Sequence, residues 1–410
     1  MDSLLKKYLR GDATLWIAFI MLCVVSIIEM YSASSTLAYK AASHTTPVLR
    51  HVGFLAGGAL IAILVHLVPY RFIRLMSYVG LLLSIFLLVL VQFKGQSEND
   101  ATRWLVIGGV QFQPSELAKL SVIIVAADFI SRIKDPKKDE TKYFTAILIM
   151  LGLTLPLILI ENFSTAGILF GVVYLMMFIG KISMKKLGVI AAILLGSVIV
   201  GYGAIKAIPR EAMPSTFKRA YTWTSRIDKF FVSDETKEDK YAITDDNLQV
   251  QHGKIAIARG GFFGVMPGNS IERDYLPQAY SDFIYAIIIE EIGLFGGIIV
   301  MILYLILLYR AGRIATQSPT VFPAVVVIGL SLMIVIQAFV NMAVASSLGP
   351  VTGQPLPLIS RGGTSILITC IYFGVILGVT RQIKEENNPD DTEMVESEKV
   401  EIPTVSLDEI

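Results

Sequence analysis

Stretches of about twenty almost wholly apolar residues recur along this chain, separated by polar segments. A run of that length crosses the ~30 Å hydrocarbon of a bilayer only as a helix, which satisfies its own backbone hydrogen bonds. The runs do not alternate apolar with polar residues as the strands of a membrane barrel do, so a barrel is excluded. At 54% hydrophobic and 17% charged over 410 residues, the chain is too apolar for a soluble enzyme of its size. It is expected to be an all-α polytopic membrane protein. The spans fall near 14–34, 50–69, 72–93, 114–133, 143–161, 164–180, 185–208, 281–309, 320–345 and 362–380, about ten transmembrane helices.

The loop charges orient these spans. Arg71 and Arg74, then Arg132, Lys134, Lys137, Lys138 and Lys142, then Lys181, Lys185 and Lys186, then Arg310 and Arg313 fall at one end, which the positive-inside rule makes cytoplasmic. Both termini come out on that side, as an N-terminus over 1–13 and a tail over 382–410 that is acidic, poor in aromatics and expected to be disordered. The transmembrane domain is 14–381. Lys6, Lys7 and Arg10 precede the first apolar run as in a signal peptide, but no small-residue cleavage site follows, so an uncleaved span is expected. The segment 209–280 is one large extracytoplasmic loop, broken by Pro209, Pro214, Pro267 and Pro277 and too short for a second domain. A net charge of +1 on scattered basic pairs gives no nucleic-acid surface. Cys23 and Cys370 lie inside apolar runs, and four dispersed histidines form no metal signature.

Where the long loop runs back into the membrane, between Gly253 and Gly297, three carboxylates gather: Asp282, Glu290 and Glu291. A helix from Ser281 to Tyr309 would be ~42 Å long, more than the hydrocarbon needs. Measured back from Arg310, ~30 Å of helix reaches only Glu290 or Glu291, leaving Asp282 above the hydrocarbon. Two readings stay open for it: a base lining a water-filled cavity, or an acidic first-turn residue behind a Ser281 N-cap.

Three more clusters fall at the same end. Thr102-Arg103-Trp104 leads to Pro114, Glu116 and Lys119; the last two share a helix face, either as a dipole-favoured Glu with a snorkelling Lys or as a buried polar pair lining a pocket. Gly260, Gly261, Gly264 and Gly268, with Lys254 and Arg259, would either let backbone N–H groups meet a phosphate or simply mark turns. The Pro/Gly-rich stretch 349–365, with Ser360 and Arg361, is either a re-entrant cavity lining or a connector.

With RWL and QPSELAK within Arg103 to Lys119, IAIARGGFFG, GNS and LPQAYSDFIYAIIIEE within Ile255 to Glu291, and GQPLPLISRGGTS at Gly353 to Ser365, the chain resembles the SEDS family, the polytopic glycosyltransferases that polymerise peptidoglycan. It is similar to the division type more than the elongation type, through GNS at Gly268 to Ser270, TWTSRI at Thr222 to Ile227 and the extended tail. The resemblance implies lipid II as substrate and a polyprenyl pyrophosphate as leaving group. It implies Asp282 as general base, Glu116 and Lys119 as the polar pair of the central cavity, and Lys119 or Arg259 facing the pyrophosphate. Arg103, Lys254, Ser360 and Arg361 are expected among the substrate-binding residues. The departing pyrophosphate leaves room for a divalent cation (Mg or Mn) beside it, and the expected partners are a class B penicillin-binding protein transpeptidase and other division proteins. The expected place is the bacterial cytoplasmic membrane, at the septum. Three positions depart from the family pattern: Asn162 where many members carry Asp, Arg361 in place of an aromatic, and Val265-Met266-Pro267 without a common glycine.

A lipid II flippase using the same cavity and a non-catalytic division scaffold are the competing readings. Charges confined to the outer face favour the enzyme, because a translocation path needs polar groups at several depths. Asp128 and Asn341 keep the flippase in play.

Overall fold

The structure, a computed structural model, describes residues 11–33, 45–98, 101–108, 110–207, 224–225, 228, 247–276 and 279–387. The expected N-terminal segment before Gly11, the tail beyond Asn387 and nearly all of 209–246 lie outside the described residues.

Among the described residues, eight helices are long and apolar enough to cross a membrane: α1 (Ala13–Ala33), α2 (Thr45–Leu67), α3 (Tyr70–Lys94), α5 (Glu140–Glu161), α7 (Met184–Ala207), α10 (Ile284–Gln317), α11 (Val321–Ala345) and α12 (from Gly363 to Asn387). Two more complete the expected ten, α4 (Pro114–Ile133) and the shorter apolar α6 (Phe163–Ile179). Between α7 and α10 lie α8 (Leu248–Gly260) and the short α9 (Glu272–Tyr275).

Helices α4 and α11 occupy the middle of the bundle. Helix α4 packs on α3, α5 and α11, and α11 packs on α10, so nearly every α4 side chain from Pro114 to Asp128 is buried. Helix α7 is the opposite case, with only Leu187 buried and Val189, Ile193, Leu195, Ile199 and Val200 exposed. Such a face would be costly in water at ~25 cal/mol per Å² but matches lipid tails.

Two features depart from the all-helical expectation. The segment carrying Arg103 forms a three-stranded antiparallel sheet, β1 (Gln96–Glu98), β2 (Ala101–Ile107) and β3 (Val110–Phe112), in which Leu105 faces Phe112 and Val106 faces Gln111. The long helix at the re-entry begins at Ile284 rather than Ser281 and breaks at Gly293 (φ 80°, ψ 178°). The turn after α8 fills that break: Val265 and Met266 donate to the Glu290 and Glu291 carbonyls at 2.9 and 2.8 Å, and Leu294 donates to Gly261 O at 2.9 Å. A discontinuous helix survives at membrane depth when neighbouring backbone takes up its freed hydrogen bonds, and these three do so.

At the end bearing the basic loops, Asp128 is buried among Arg74, Arg132 and Tyr78, with Arg132 Nε 3.0 Å from its Oδ2. Asp12 joins α1 to α10 there by accepting from Arg310 Nε at 3.1 Å, and its backbone N–H donates to Thr380 Oγ1 on α12.

Candidate active site

The site lies at the opposite end of the bundle, where α4, α11, the turn before α10 and the loop between α11 and α12 converge. Pro114 starts α4 at a position where no N–H is needed, and the first turn holds Glu116. Three residues on, Lys119 Nζ sits 2.8 Å from Glu116 Oε1. Lys119 is 1% exposed and Glu116 7%, so the arrangement is a buried ion pair and not a snorkelling lysine. Lys119 Nζ also donates to Gln337 Oε1 on α11 at 3.1 Å, and Gln337 Nε2 donates to Pro355 O at 3.1 Å.

Asp282 sits in the turn 279–283, just ahead of α10, half-buried. Ser281 does not cap the helix; the N-cap is Phe283, without a side-chain bond. Ser281 Oγ instead donates to Asp282 Oδ1 at 2.9 Å. The loop 353–361 is stitched onto this turn: Ser360 Oγ donates to Ser281 O at 2.6 Å while accepting from Leu356 N at 2.7 Å, and Arg361 N donates to Tyr280 O at 2.9 Å. The Arg361 guanidinium lies over the Tyr280 ring, 5.3 Å from its centroid, so the cation replacing an aromatic still finds an aromatic partner. Gly353 (φ 64°) passes so close that a Cβ there would be 3.5 Å from Asp282 Oδ2. Asn341 Nδ2 donates to Asp282 O at 2.9 Å and to Gln354 O at 2.8 Å, and Gln354 Nε2 donates to Thr165 Oγ1 on α6 at 2.9 Å.

Arg103 on β2 donates through Nε to Glu161 O at 3.0 Å, at the end of α5. Beside it Asn162 caps α6, accepting from Ser164 N at 3.0 Å, a duty its amide oxygen performs as well as a carboxylate.

Of the two readings open for the glycine cluster, Gly260 and Gly264 follow the turn reading. Their backbone is packed against the α10 break, where a Cβ on Gly260 or Gly264 would overlap α10 backbone, and the N–H groups of Gly264, Val265 and Met266 go to carbonyls. Arg259 lies 3.5 Å from the buried Glu290, and Lys254 is exposed on α8. Glu290 accepts from Ile271 N at 3.1 Å, and Glu291 lies 3.8 Å from Arg273. These two glutamates therefore hold the re-entry turn together rather than joining Asp282.

A family model described as a cell cycle protein, spanning FtsW, RodA and SpoVE, matches residues 12–385. The chain belongs to the FtsW/RodA/SpoVE family. It is similar to the probable peptidoglycan glycosyltransferase FtsW of Saccharophagus degradans, 31% identical over 93% of this chain and 95% of that one. The protein of the same name in Bacillus subtilis is 31% identical over 94% of each chain, and that organism's stage V sporulation protein E is 30% identical over 92% of this chain and 98% of its own. Among solved structures, Thermus thermophilus RodA has the same fold with a TM-score of 0.63 at 23% identity, covering 92% of this chain and 98% of RodA. A chain of a peptidoglycan synthase complex reaches 0.68 at 22% identity, covering 91% of this chain and 98% of that one.

For this FtsW/RodA/SpoVE family member, sequence spacing pairs Glu116 with Lys119, whereas the contacts of Ser360 and Arg361 with the turn that carries Asp282 emerge only from the structure. The spacing missed Gln337, Thr165 and the role of Asn341, polar residues whose only signal was their presence in apolar helices. Among the described residues no three His, Cys, Asp or Glu side chains converge on a metal-sized site. The described residues therefore offer a divalent cation no cage of protein carboxylates.

Proposed function

We propose that this chain is a peptidoglycan glycosyltransferase that polymerises lipid II into glycan at the outer face of the bacterial cytoplasmic membrane during division. One observation carries the reading: a carboxylate in a tightly stitched turn, Asp282, and a buried cation, Lys119, are held by the same helix in a chain whose relatives bear that activity in their names.

In this reading the acceptor sugar hydroxyl attacks the donor's anomeric carbon, and its proton passes to the Asp282 carboxylate. The bond to the polyprenyl pyrophosphate breaks, the leaving oxygen keeps the electron pair, and the configuration inverts in one displacement. Lys119, almost fully buried, acts on the developing pyrophosphate charge through its field, which is strong where water is excluded. Arg361 and Arg103 are only half-buried and are the cations that touch the substrate. The basic loops mark the cytoplasmic end, which puts both termini in the cytoplasm and the site outside. A class B penicillin-binding protein is the proposed transpeptidase partner, and the septum the proposed place.

The distribution of buried charge argues against a flippase. Asp128 is tied into an ion-pair cluster at the basic end, while Glu116, Lys119 and Asn341 belong to the other end, so these groups do not line a continuous path. The deciding experiment incubates the purified protein and its partner in liposomes with labelled lipid II. Glycan polymer on gels supports the reading; transfer of lipid II between leaflets with no polymer supports the flippase.

A further inference from the structure

Two side chains one helical turn apart on α11 hold both chemical ends of the site, and neither bears a reacting group. Gln337 receives the Lys119 ammonium and passes its own N–H to Pro355 O. Asn341 spends both amide N–H bonds on backbone carbonyls, Asp282 O and Gln354 O. Positions i and i+4 share a helix face and rise ~6 Å along the axis. The two anchor points are therefore set on one rigid element. That rigidity matters because Asp282 lies in an irregular turn: the helix after it has no side-chain cap, and the carbonyls of Tyr280 and Ser281 before it are held from the 353–361 loop. The loop is itself tied down by the same two amides.

We propose that Asn341 and Gln337 are positioning residues for glycosyl transfer: Asn341 fixes the Asp282 turn and Gln337 fixes the Lys119 ammonium, so that base and cation keep one separation while substrates exchange. The inference rests on the reading of Asp282 as general base. Near-attack geometry is unforgiving, and a displacement of about 1 Å costs on the order of 100-fold in rate. A merely structural amide would behave differently, since its loss would lower stability and substrate binding along with turnover.

The test uses the full-length protein with its transpeptidase partner in liposomes and labelled lipid II, comparing wild type with Asn341→Asp, Asn341→Ala and Gln337→Ala. Asn341→Asp keeps the size but cannot donate two hydrogen bonds; Asn341→Ala serves if the new carboxylate prevents folding. For each variant kcat, KM and the thermal midpoint are measured, with Asp282→Asn run in parallel. The expected result is a kcat lowered about 10- to 100-fold in the Asn341 variants and in Gln337→Ala, with KM within about threefold and a midpoint lowered by only a few degrees for the lost hydrogen bonds. A kcat within about twofold of wild type, a parallel collapse of kcat, KM and midpoint, or failure of both Asn341 variants to fold would each overturn the positioning role. Asp282→Asn separates the two ideas. If it retains polymerisation, the general-base reading fails; if it abolishes polymerisation while Asn341→Ala keeps full kcat, only the positioning inference fails.

Discussion

Gly293 of α10 and Phe262 of the preceding turn meet backbone to backbone. Phe262 O accepts from Phe295 N at 3.3 Å, and a Cβ on Gly293 would run into that same oxygen. Gly293 also has φ 80°, where a side chain is strained. Gly293→Ala is therefore expected to cost at least about 2 kcal/mol and lower the thermal midpoint in detergent. Gly196→Ala on α7, with open space around it, should be neutral or stabilising by about 0.5–1 kcal/mol. Equal midpoints for the two variants would remove the claim that the turn and the helix break form one unit.

Met266 stands in the stretch that lacks the family's glycine, and its φ is 77°. Relief of left-handed strain exceeds the entropy cost of glycine by about 0.5–1 kcal/mol, so Met266→Gly should raise the thermal midpoint. A lower midpoint would mean that the exposed Met266 side chain contributes more than its backbone costs.

The Glu116–Lys119 pair should show strong coupling. Lys119→Met or Glu116→Gln alone strips one partner from a buried pair, a change worth about 3–5 kcal/mol. Removing both should cost clearly less than the sum, with an interaction energy of at least about 1 kcal/mol in a double-mutant cycle on stability. Additive losses would return the pair to two independent helix-start residues.

At the basic end, burial raises the Asp12 carboxyl, but the Arg310 guanidinium and the Leu15 N–H outweigh it and hold the group below its usual 3.8. A depressed carboxylate stabilises the fold fully above the unfolded value and loses that contribution as pH falls through the lower folded value. The wild type should exceed Asp12→Asn by about 1–3 kcal/mol at neutral pH, with the gap closing only below about pH 4. Thermal melts of both proteins across that range measure it; a gap that is constant with pH would rule out the charged contact as its source.

How much of this was readable beforehand depends on where each residue's partner lies. Span length needs only local hydropathy, and α4 starts where expected because Pro114 is a local start signal, whereas α10 and α12 run seven or eight residues past the expected ends at 309 and 380. The Lys119–Glu116 pair is local too, three residues apart on one face. The break at Gly293 was hidden, since IIIEEIGLFGG reads as continuous apolar helix until the Gly260 to Gly264 turn is placed against it. The Ser281 cap failed for a similar reason: its carbonyl is taken by Ser360, from a loop distant in sequence. The strands at 96–112 are too short to show a period in the sequence. Gln337 and Asn341 sit in an apolar run where no spacing rule points to Lys119 or to the Asp282 turn.

The most direct test of the central claim is the initial rate of lipid II polymerisation by Asp282→Asn against wild type, each reconstituted with its transpeptidase partner, with lipid II binding and thermal midpoint measured on the same preparations. The substitution preserves the shape of the side chain and the backbone carbonyl that Asn341 holds, and removes only the proton acceptor. The account predicts a rate lowered by about 100- to 10,000-fold with binding and midpoint retained. A rate within about tenfold of wild type would contradict Asp282 as the general base.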